Sequence, residues 1–349
     1  MAVDLSKLII REKISLKELS GKTVAIDAYN VLYQFLSIIR QPDGTPLKDS
    51  KGRVTSHLSG LFYRSIDLIQ NGITPIYVFD GIPSKLKMKT IEARTRRRDN
   101  AYNAWLEAKA QGALEAARTY AQESTRVDKA IVSSAKQLLD LMGIAQLTST
   151  GEGEAQASYM CREGLVDAAA SQDYDTLLFG APVIIRNLTL SGRRKLPKKN
   201  VYVEVEPERV ILAETLKALG ISRQQLIWIG IMLGNDFNDG IKGIGPKTAL
   251  KIAMESKSIS DVESIVEQKF KTPFQTDIRE VEELFNNPDV KRIEKPELEK
   301  MVSAKPDIEG IKRMMCDDYE FSEARIVKFA ELLAKKRDSS RQEGISKWF

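Results

Sequence analysis

One histidine, His57, and two cysteines, Cys161 and Cys316, are all that 349 residues offer as nitrogen or sulfur metal ligands. The cysteines are far apart and form no Cys-x-x-Cys pair, which argues against a disulfide framework or a thiolate zinc site and suits a reducing compartment. Chemistry that needs two imidazoles is excluded, and His57 is read as structural. No apolar run approaches the roughly 20 residues that span a bilayer, and the N-terminal MAVDLSKLIIREKISL lacks the layout of a signal peptide. Neither charge sign dominates, with 53 Lys plus Arg against 48 Asp plus Glu and a net charge of +5, so the placement of charge carries more meaning than its sum. There is no internal repeat. Hydrophobic residues make up 42% of the chain, ample for a core. The expectation is a soluble, cytoplasmic protein that does not enter membranes.

What is present is a set of short apolar runs that end in acids. GKTVAIDAYN and GITPIYVFDG each carry a β-branched run closed by an aspartate, Asp27 and Asp80, before helix-compatible sequence. GLVDAAASQDYD is a third such run, and APVIIRNL and VYVEVEP are further strand candidates. Helices are expected over 28–40, 56–71, 126–142 and 153–163. Strands alternating with helices predict an α/β fold with a mostly parallel central sheet flanked by helices. Ligands of such sheets bind beyond the carboxyl ends of the strands, where Asp27, Asp80, Asp173 and Asp175 fall. From 85 to 122 the chain is rich in helix formers but has only a thin apolar stripe, so it is expected to stay off the core, either as a solvated bridge or as a segment that orders on a partner. The stretch 215–256 reads as helices joined by glycine-rich turns. From Lys335 a polar, flexible tail is expected, apolar only in its last five residues.

The segment SQDYDTLLFG admits three readings: a nucleophilic aspartate, a pair of metal ligands, or a turn that caps a helix. Two further motifs bear on the choice. STGEGEAQASYM puts Glu152 and Glu154 at a helix start, and IMLGNDFNDG puts Asp236 just after an apolar helix. Each acid alone is an ordinary cap or dipole partner. Together, seven carboxylates at one rim repel one another and require cations, and without His or Cys the ligands are all oxygen, which points to Mg2+ or Mn2+.

A cationic block follows Asp80 directly: Lys85, Lys87, Lys89, Arg94, Arg96, Arg97 and Arg98, with Glu92 the only acid among them. Lys87, Arg94 and Arg98 share a helix face. Beside an acidic rim, that face can hold a phosphodiester that the acids alone would repel. GIKGIGPKTA resembles the hairpin of helix-hairpin-helix DNA binders, in which Gly243 and Gly245 let backbone N–H groups approach a phosphate and Lys247 adds charge. The basic SGRRKLPKKN, residues 191–200, reads as a solvated hairpin tip.

With these motifs assembled in this order, the chain resembles the flap endonucleases of the structure-specific 5′ nuclease family, most closely the archaeal type. The resemblance spans nearly the whole chain: AIDAYNVLYQFL, YVFDGIPSKLK, GEGEAQAS, SQDYDTLLFG, IKGIGPKTAL and QEGISKWF. It implies two-metal hydrolysis of DNA at the base of a 5′ flap, with 5′-3′ exonuclease activity, in replication and repair. Asp27, Asp80, Glu152, Glu154, Asp173, Asp175 and Asp236 stand at the family's positions for two Mg2+, which Mn2+ can replace. Lys87 and Arg94 match its catalytic bases, and Tyr33 a base-stacking tyrosine. Thr55 matches a pocket for a 3′ flap, Arg40, Arg97 and Arg98 are further DNA contacts, and the hairpin is expected to hold duplex, with a K+. Gln342, Ile345, Trp348 and Phe349 fit the spacing of a box that binds the sliding clamp, PCNA. The chain departs from the family at its start, where Ala2, Val3 and Asp4 follow Met1 in place of the frequent Met-Gly.

The organisation that the resemblance implies is a nuclease region over 1–122 that includes the family's helical arch, about 85–122, through which a single-stranded flap passes, and a second over 123–334 with the hairpin motif near 226–256. The two form one catalytic domain, followed by the tail 335–349; the protein is expected to be a monomer. Two other functions remain open on the residues: a haloacid-dehalogenase-type phosphatase with Asp173 as nucleophile, since DYDTL fits DxDxT, and a non-catalytic DNA-binding partner of the clamp. The first leaves the hairpin and the terminal box unused. The second gives no reason for seven acids.

Overall fold

Successive side chains of a strand point to opposite faces of its sheet, and in this protein both faces are apolar. The computed structural model describes residues 3–190, 192–195 and 202–346. The strands are β1 (Glu12–Lys13), β2 (Thr23–Asp27), β3 (Thr74–Phe79), β4 (Gln146–Thr148), β5 (Ala168–Ala170), β6 (Val183–Arg186), β7 (Gly192–Lys195), β8 (Tyr202–Val205) and β9 (Glu208–Ile211). Val24 and Ile26 of β2, Tyr77 and Phe79 of β3 and Ala168 and Ala170 of β5 enter one apolar layer. Ala25, Ile76, Val78, Ala169 and Ile184 enter the other. A sheet covered on both faces is the setting in which parallel strands occur.

The main sheet runs in the order β1-β9-β6-β5-β2-β3-β4. β6, β5, β2, β3 and β4 are mutually parallel, with Asp27 opposite Val78 and Ile26 opposite Ala170, while β9 and β1 add an antiparallel edge. The chain builds outward from β2 through β3 to β4, then returns to lay β5 and β6 on the other side of β2. The order therefore reverses between β2 and β5, which opens a crevice at the carboxyl ends of those strands. Of the expected strands, VYVEVEP is the one that does not join this sheet: β8 pairs antiparallel with β7, apart from it.

One layer is covered by α1 (Ala28–Ile38) and α2 (Ser56–Gln70), which lie close to their expected bounds. α3 (Met88–Ala110) and α4 (Leu114–Glu123) form the arch. α3 spans about 35 Å at 1.5 Å per residue, yet buries only Ala101 and Ala108, as its thin apolar stripe predicts. α5 (Lys129–Leu141) returns to the first layer, where the single histidine sits: His57 is buried, with Nε2 2.8 Å from Ser134 Oγ.

The second layer is covered by α6 (Gly153–Arg162), α7 (Asp175–Leu178), α8 (Leu212–Leu219), α9 (Arg223–Leu233), α10 (Pro246–Glu255), α11 (Ile259–Phe270), α12 (Ile278–Asn286) and α13 (Lys295–Val302). α14 (Ile308–Lys312) and α15 (Glu323–Ser346) finish the first, through Ile311, Ile326, Ala330 and Leu333. α15 carries a helical backbone past Lys335, where the polar composition predicts a linker. Among the described residues no helix is long and apolar enough to cross a membrane.

The α1–α2 crossing is tight. A Cβ on Gly60 would lie 2.3 Å from the Phe35 ring, which is itself buried. Gly60→Ala must displace α1, so we expect a loss of about 1–3 kcal/mol of stability, the cost of overpacking. A lowered urea midpoint at unchanged slope checks it.

Candidate active site

Each carboxylate of the crevice is delivered by the end of an element. Asp27 closes β2 and caps α1, its Oδ1 accepting the Asn30 N–H at 3.0 Å. Asp80 follows the last residue of β3 and accepts the Gly153 N–H at 2.7 Å, which joins it to the first turn of α6. Gly81 tightens this joint: its N–H donates to Gly151 O at 2.8 Å, and a Cβ there would meet Ser149 O at 2.1 Å. Glu152 is the residue before α6 and Glu154 lies in its first turn. Asp173 sits in the turn after β5, its N–H donating to Ser171 Oγ at 3.1 Å, and the Ser171 hydroxyl donates to Glu154.

These groups meet. Asp27, Asp80, Glu152, Glu154, Asp173 and Asp236 line one cavity of about 310 Å3 together with Lys87, Arg94, Arg98 and Tyr33. Lys87 bridges Glu152 and Asp236, the second at 3.5 Å, and Arg94 pairs with Asp236. Arg98 lies 4.6 Å from the centre of the Tyr33 ring, a cation–π stack at the cavity wall. Asp175 is near but turned away. It is buried, its Oδ1 accepts the Val3 N–H at 3.0 Å, and it is not part of the cavity lining. The N-terminal segment thus reaches the acids through a backbone group of Val3; the terminal amine lies outside the described residues.

Burial and mutual repulsion disfavour the ionised carboxylates. Burial, then the charge of Asp80, pushes Asp27 up to about 8. Burial, then Asp236 and Asp173, pushes Asp175 up to about 7. Burial is also the main cause that raises Glu154, Asp80, Asp173 and Glu152. Asp236 alone goes the other way: against its burial, Arg94 and Lys87 hold it below the usual carboxylate range. Lys87 is held above the usual range by Glu152, Asp236 and Asp80, which outweigh its own burial.

The donor set fits a hard divalent cation. All donors are oxygen, and Glu152 Oε1 is buried without a hydrogen-bond partner, an acceptor with a lone pair to give. As the side chains stand, no three Asp, Glu, His or Cys among the described residues are drawn into metal-ligand spacing. Lys87 and Arg94 add positive charge beside the acids through Glu152 and Asp236.

The remaining expected residues are spread around this centre. Gly243 turns at φ +93 with open space beyond it, Gly245 caps α10, and Lys247 is exposed, so the hairpin offers backbone and charge to solvent while Ile241 and Ile244 anchor it. Arg97 is exposed on α3. Thr55 is buried at the start of α2, its N–H bonded to Leu47 O at 2.8 Å. Arg40 spends its guanidinium on Leu36 O, Gly44 O and Thr125 Oγ1 at 2.6, 2.7 and 2.9 Å and lines a different cavity. Trp348, Phe349 and the side chains of Gln342 and Ile345 lie outside the described residues.

Sequence reasoning misses the groups that hold the acids in place. Asn235 and Asn238, both buried, bond to each other at 2.7 Å, and Asn238 reaches back to Ile231 O at 2.8 Å, bracketing Asp236. The polar run NDFND after an apolar helix is the available signal. Arg186 donates to Gln172 O at 3.1 and 3.2 Å and to the Tyr174 hydroxyl at 2.6 Å, fixing the turn that bears Asp173. Nothing local in the sequence marks it.

A parallel sheet with an acid-lined switch-point crevice, faced by cations on a helical arch, defines a class that the comparisons identify. Residues 2–101 match the XPG N-terminal domain and 143–236 the XPG I-region. The chain is 49% identical to flap endonuclease 1 of Pyrococcus furiosus over 350 residues, covering 100% of this chain and 99% of that protein. It is 46% identical to that of Methanosarcina acetivorans, covering 100% of both. Among solved structures, flap endonuclease-1 from Methanococcus jannaschii superposes with a TM-score of 0.72 at 37% identity, covering 97% and 99% of the two chains. The Holliday junction-resolving enzyme GEN1, in complex with product DNA and Mg2+, shares the fold at 20% identity and a TM-score of 0.62, covering 95% of this chain and 77% of that one. The chain belongs to the flap endonuclease 1 family.

The raised carboxyls set a sign for stability against pH. A group whose folded pKa lies above its unfolded value stabilises fully below the unfolded pKa, and that contribution fades as pH rises through the folded value. With EDTA present, the thermal midpoint is expected to fall as pH rises from about 5 to 8, the window set by the elevations of Asp27 and Asp175. Excess Mg2+ should flatten that slope, because a cation that binds only the native carboxylates favours their ionised form. Scanning calorimetry in both conditions reads it, and a metal-free midpoint that rises over this window would contradict the assignment.

Proposed function

We propose that the acid cavity is where this chain, a structure-specific 5′ flap nuclease that hydrolyses DNA phosphodiester bonds, cuts at the flap base with two Mg2+, for which Mn2+ can substitute. The observation that carries the reading is the convergence of six carboxylates, from the ends of β2, β3, β4, β5 and α9, opposite Lys87, Arg94 and Arg98 of the arch. Asp27, Asp80, Glu152, Glu154, Asp173 and Asp236 would hold the cations, with Asp175 supporting them from behind. When bound, a pair of such ions activates water and stabilises the departing oxygen of an in-line displacement.

The chain's own residues do the rest. Lys87 and Arg94, relieved of their carboxylate partners, turn to the scissile phosphate and offset the charge that builds on it. Tyr33, backed by Arg98, stacks a base beside the reacting nucleotide. Gly243, Gly245 and Lys247 bind the phosphate backbone of the duplex at the N-terminus of α10, with a K+ at the hairpin. Arg97 contributes to non-specific attraction, Thr55 belongs to a pocket for a 3′ flap, and Arg40 is a further DNA contact. The arch passes the single-stranded flap. The same site supports 5′-3′ exonuclease activity in replication and repair, and the protein works as a cytoplasmic, nucleoid-associated monomer. A phosphatase using Asp173 and a non-catalytic clamp partner both give way to the full-length likeness to flap endonucleases.

The test is Mg2+-dependent cutting of a labelled 5′-flap duplex. Asp80→Ala, Glu152→Ala and Asp175→Ala are expected to abolish or cripple it, and Lys87→Ala or Arg94→Ala to lower the single-turnover rate by about 10²–10³-fold, the worth of an electrostatic group in a transition state. Undiminished cutting by the acid variants would sink the assignment.

Gln342, Ile345, Trp348 and Phe349 would bury one aliphatic and two aromatic anchors in a groove of the sliding clamp PCNA. Removing 342–349 should lower clamp-stimulated cutting and spare cutting without the clamp. Loss of both would mean that the tail belongs to the fold.

A further inference from the structure

A second cavity, of about 460 Å3, lies farther along the arch than the acids. α3 connects the two. Arg94, Arg98, Tyr102 and Trp105 follow one another at spacings of four, four and three, so they form one continuous face. Arg94 and Arg98 line the acid cavity, and Tyr102 and Trp105 line the second. Across from them, α1 supplies Tyr33 to the first cavity and Leu36 to the second. The stacked Arg98 and Tyr33 mark the boundary.

The character of the lining changes across that boundary, from charge to aromatic surface with a polar edge. Tyr102 and Trp105 meet edge to face, with ring centres 5.5 Å apart and planes 66° apart. Such a pair makes an open corner, which a flat aromatic ligand fills by stacking on one ring and abutting the other. Trp105 is pinned from behind by its Nε1–H, which donates to Asp43 O at 3.1 Å, while Tyr102 remains 46% exposed. Beyond its contact with Trp105, Tyr102 is not packed into the core, to which α3 gives only Ala101 and Ala108. The Asp99–Arg126 ion pair borders the same cavity, with an acceptor and donors for the edge of a heterocycle.

We propose that this cavity is a nucleobase site for the single-stranded flap, in which one base stacks on Tyr102 and Trp105 while the phosphates between it and the scissile one at Arg94 pass Arg98. Its place along α3 sets the register. From Arg94 to Trp105 the helix rises about 16 Å, several nucleotides into the flap, so a flap of a single nucleotide cannot reach it. Stacking is blind to base identity, because every base has a π-face. The site therefore favours long flaps over short ones without reading sequence. This inference rests on the flap-nuclease reading above.

The experiment compares kcat/KM on a single-nucleotide flap, a long flap and a long flap made wholly of abasic nucleotides, for wild type, Trp105→Ala, Trp105→Phe and Tyr102→Ala. With one base–aromatic stack removed, the ratio of long-flap to single-nucleotide-flap cutting is expected to fall about tenfold in Trp105→Ala, with Trp105→Phe restoring most of it. Wild type on the abasic flap should show the same loss, and Trp105→Ala no further loss there. Equal loss on all flaps, or an abasic flap cut by wild type as well as the intact one, would overturn the nucleobase site and leave flap cutting standing. Failure of wild type to cut any of the three would instead overturn the nuclease reading.

Discussion

Like charge held out of water is the constraint on which the rest of this molecule depends. Six carboxylates share a cavity of about 310 Å3, and burial together with their repulsion lifts five of them above their ordinary range. Such a group is tolerable only where positive charge is at hand. The chain brings its own in Lys87, seven residues after Asp80, and in Arg94 one further stretch along α3. The arch therefore has to spring directly from the end of β3. Asp236, the carboxylate that pairs with both cations, is the one whose proton affinity falls.

Rigid support follows from the same need. Carboxylates that repel will turn apart unless their backbones are fixed, and the two apolar layers fix them by burying β2, β3 and β5 on both faces. Local bonds then set direction: Gly153 N–H to Asp80, Ser171 to Glu154, and the Asn235–Asn238 bracket about Asp236. The arch is built on the opposite principle. With only Ala101 and Ala108 buried, α3 has little to hold it to the core, and its side chains stay available to a ligand. One face of that helix runs from guanidinium groups to aromatic rings, so the character of the surface changes with distance from the acids.

Much of the candidate site was legible in the chain because strand-ending acids are a local pattern. Asp27, Asp80 and Asp173 stand where apolar runs stop, and Glu152 and Glu154 where a helix starts. The weak amphipathicity of 85–122 was legible for the same reason, since periodicity is a property of neighbours. Strands of two or three residues, such as β1 and β4, are too short to show a period. VYVEVEP has the right alternation, yet its partner is β7, outside the main sheet.

Composition and local pattern by themselves determined an all-oxygen donor set, an α/β fold with acids at its strand ends, and a charged helix too poor in apolar residues to join the core. Only the tertiary structure decided which of these acids meet. Strand order is set by which apolar faces cover one another, and its reversal between β2 and β5 is what opens the crevice. The same packing turned Asp175 toward Val3, spent Arg40 on backbone carbonyls, laid Arg98 on Tyr33 and placed Tyr102 and Trp105 around a cavity. Contacts between residues distant in the chain depend on where whole elements sit, and no spacing along the sequence encodes that.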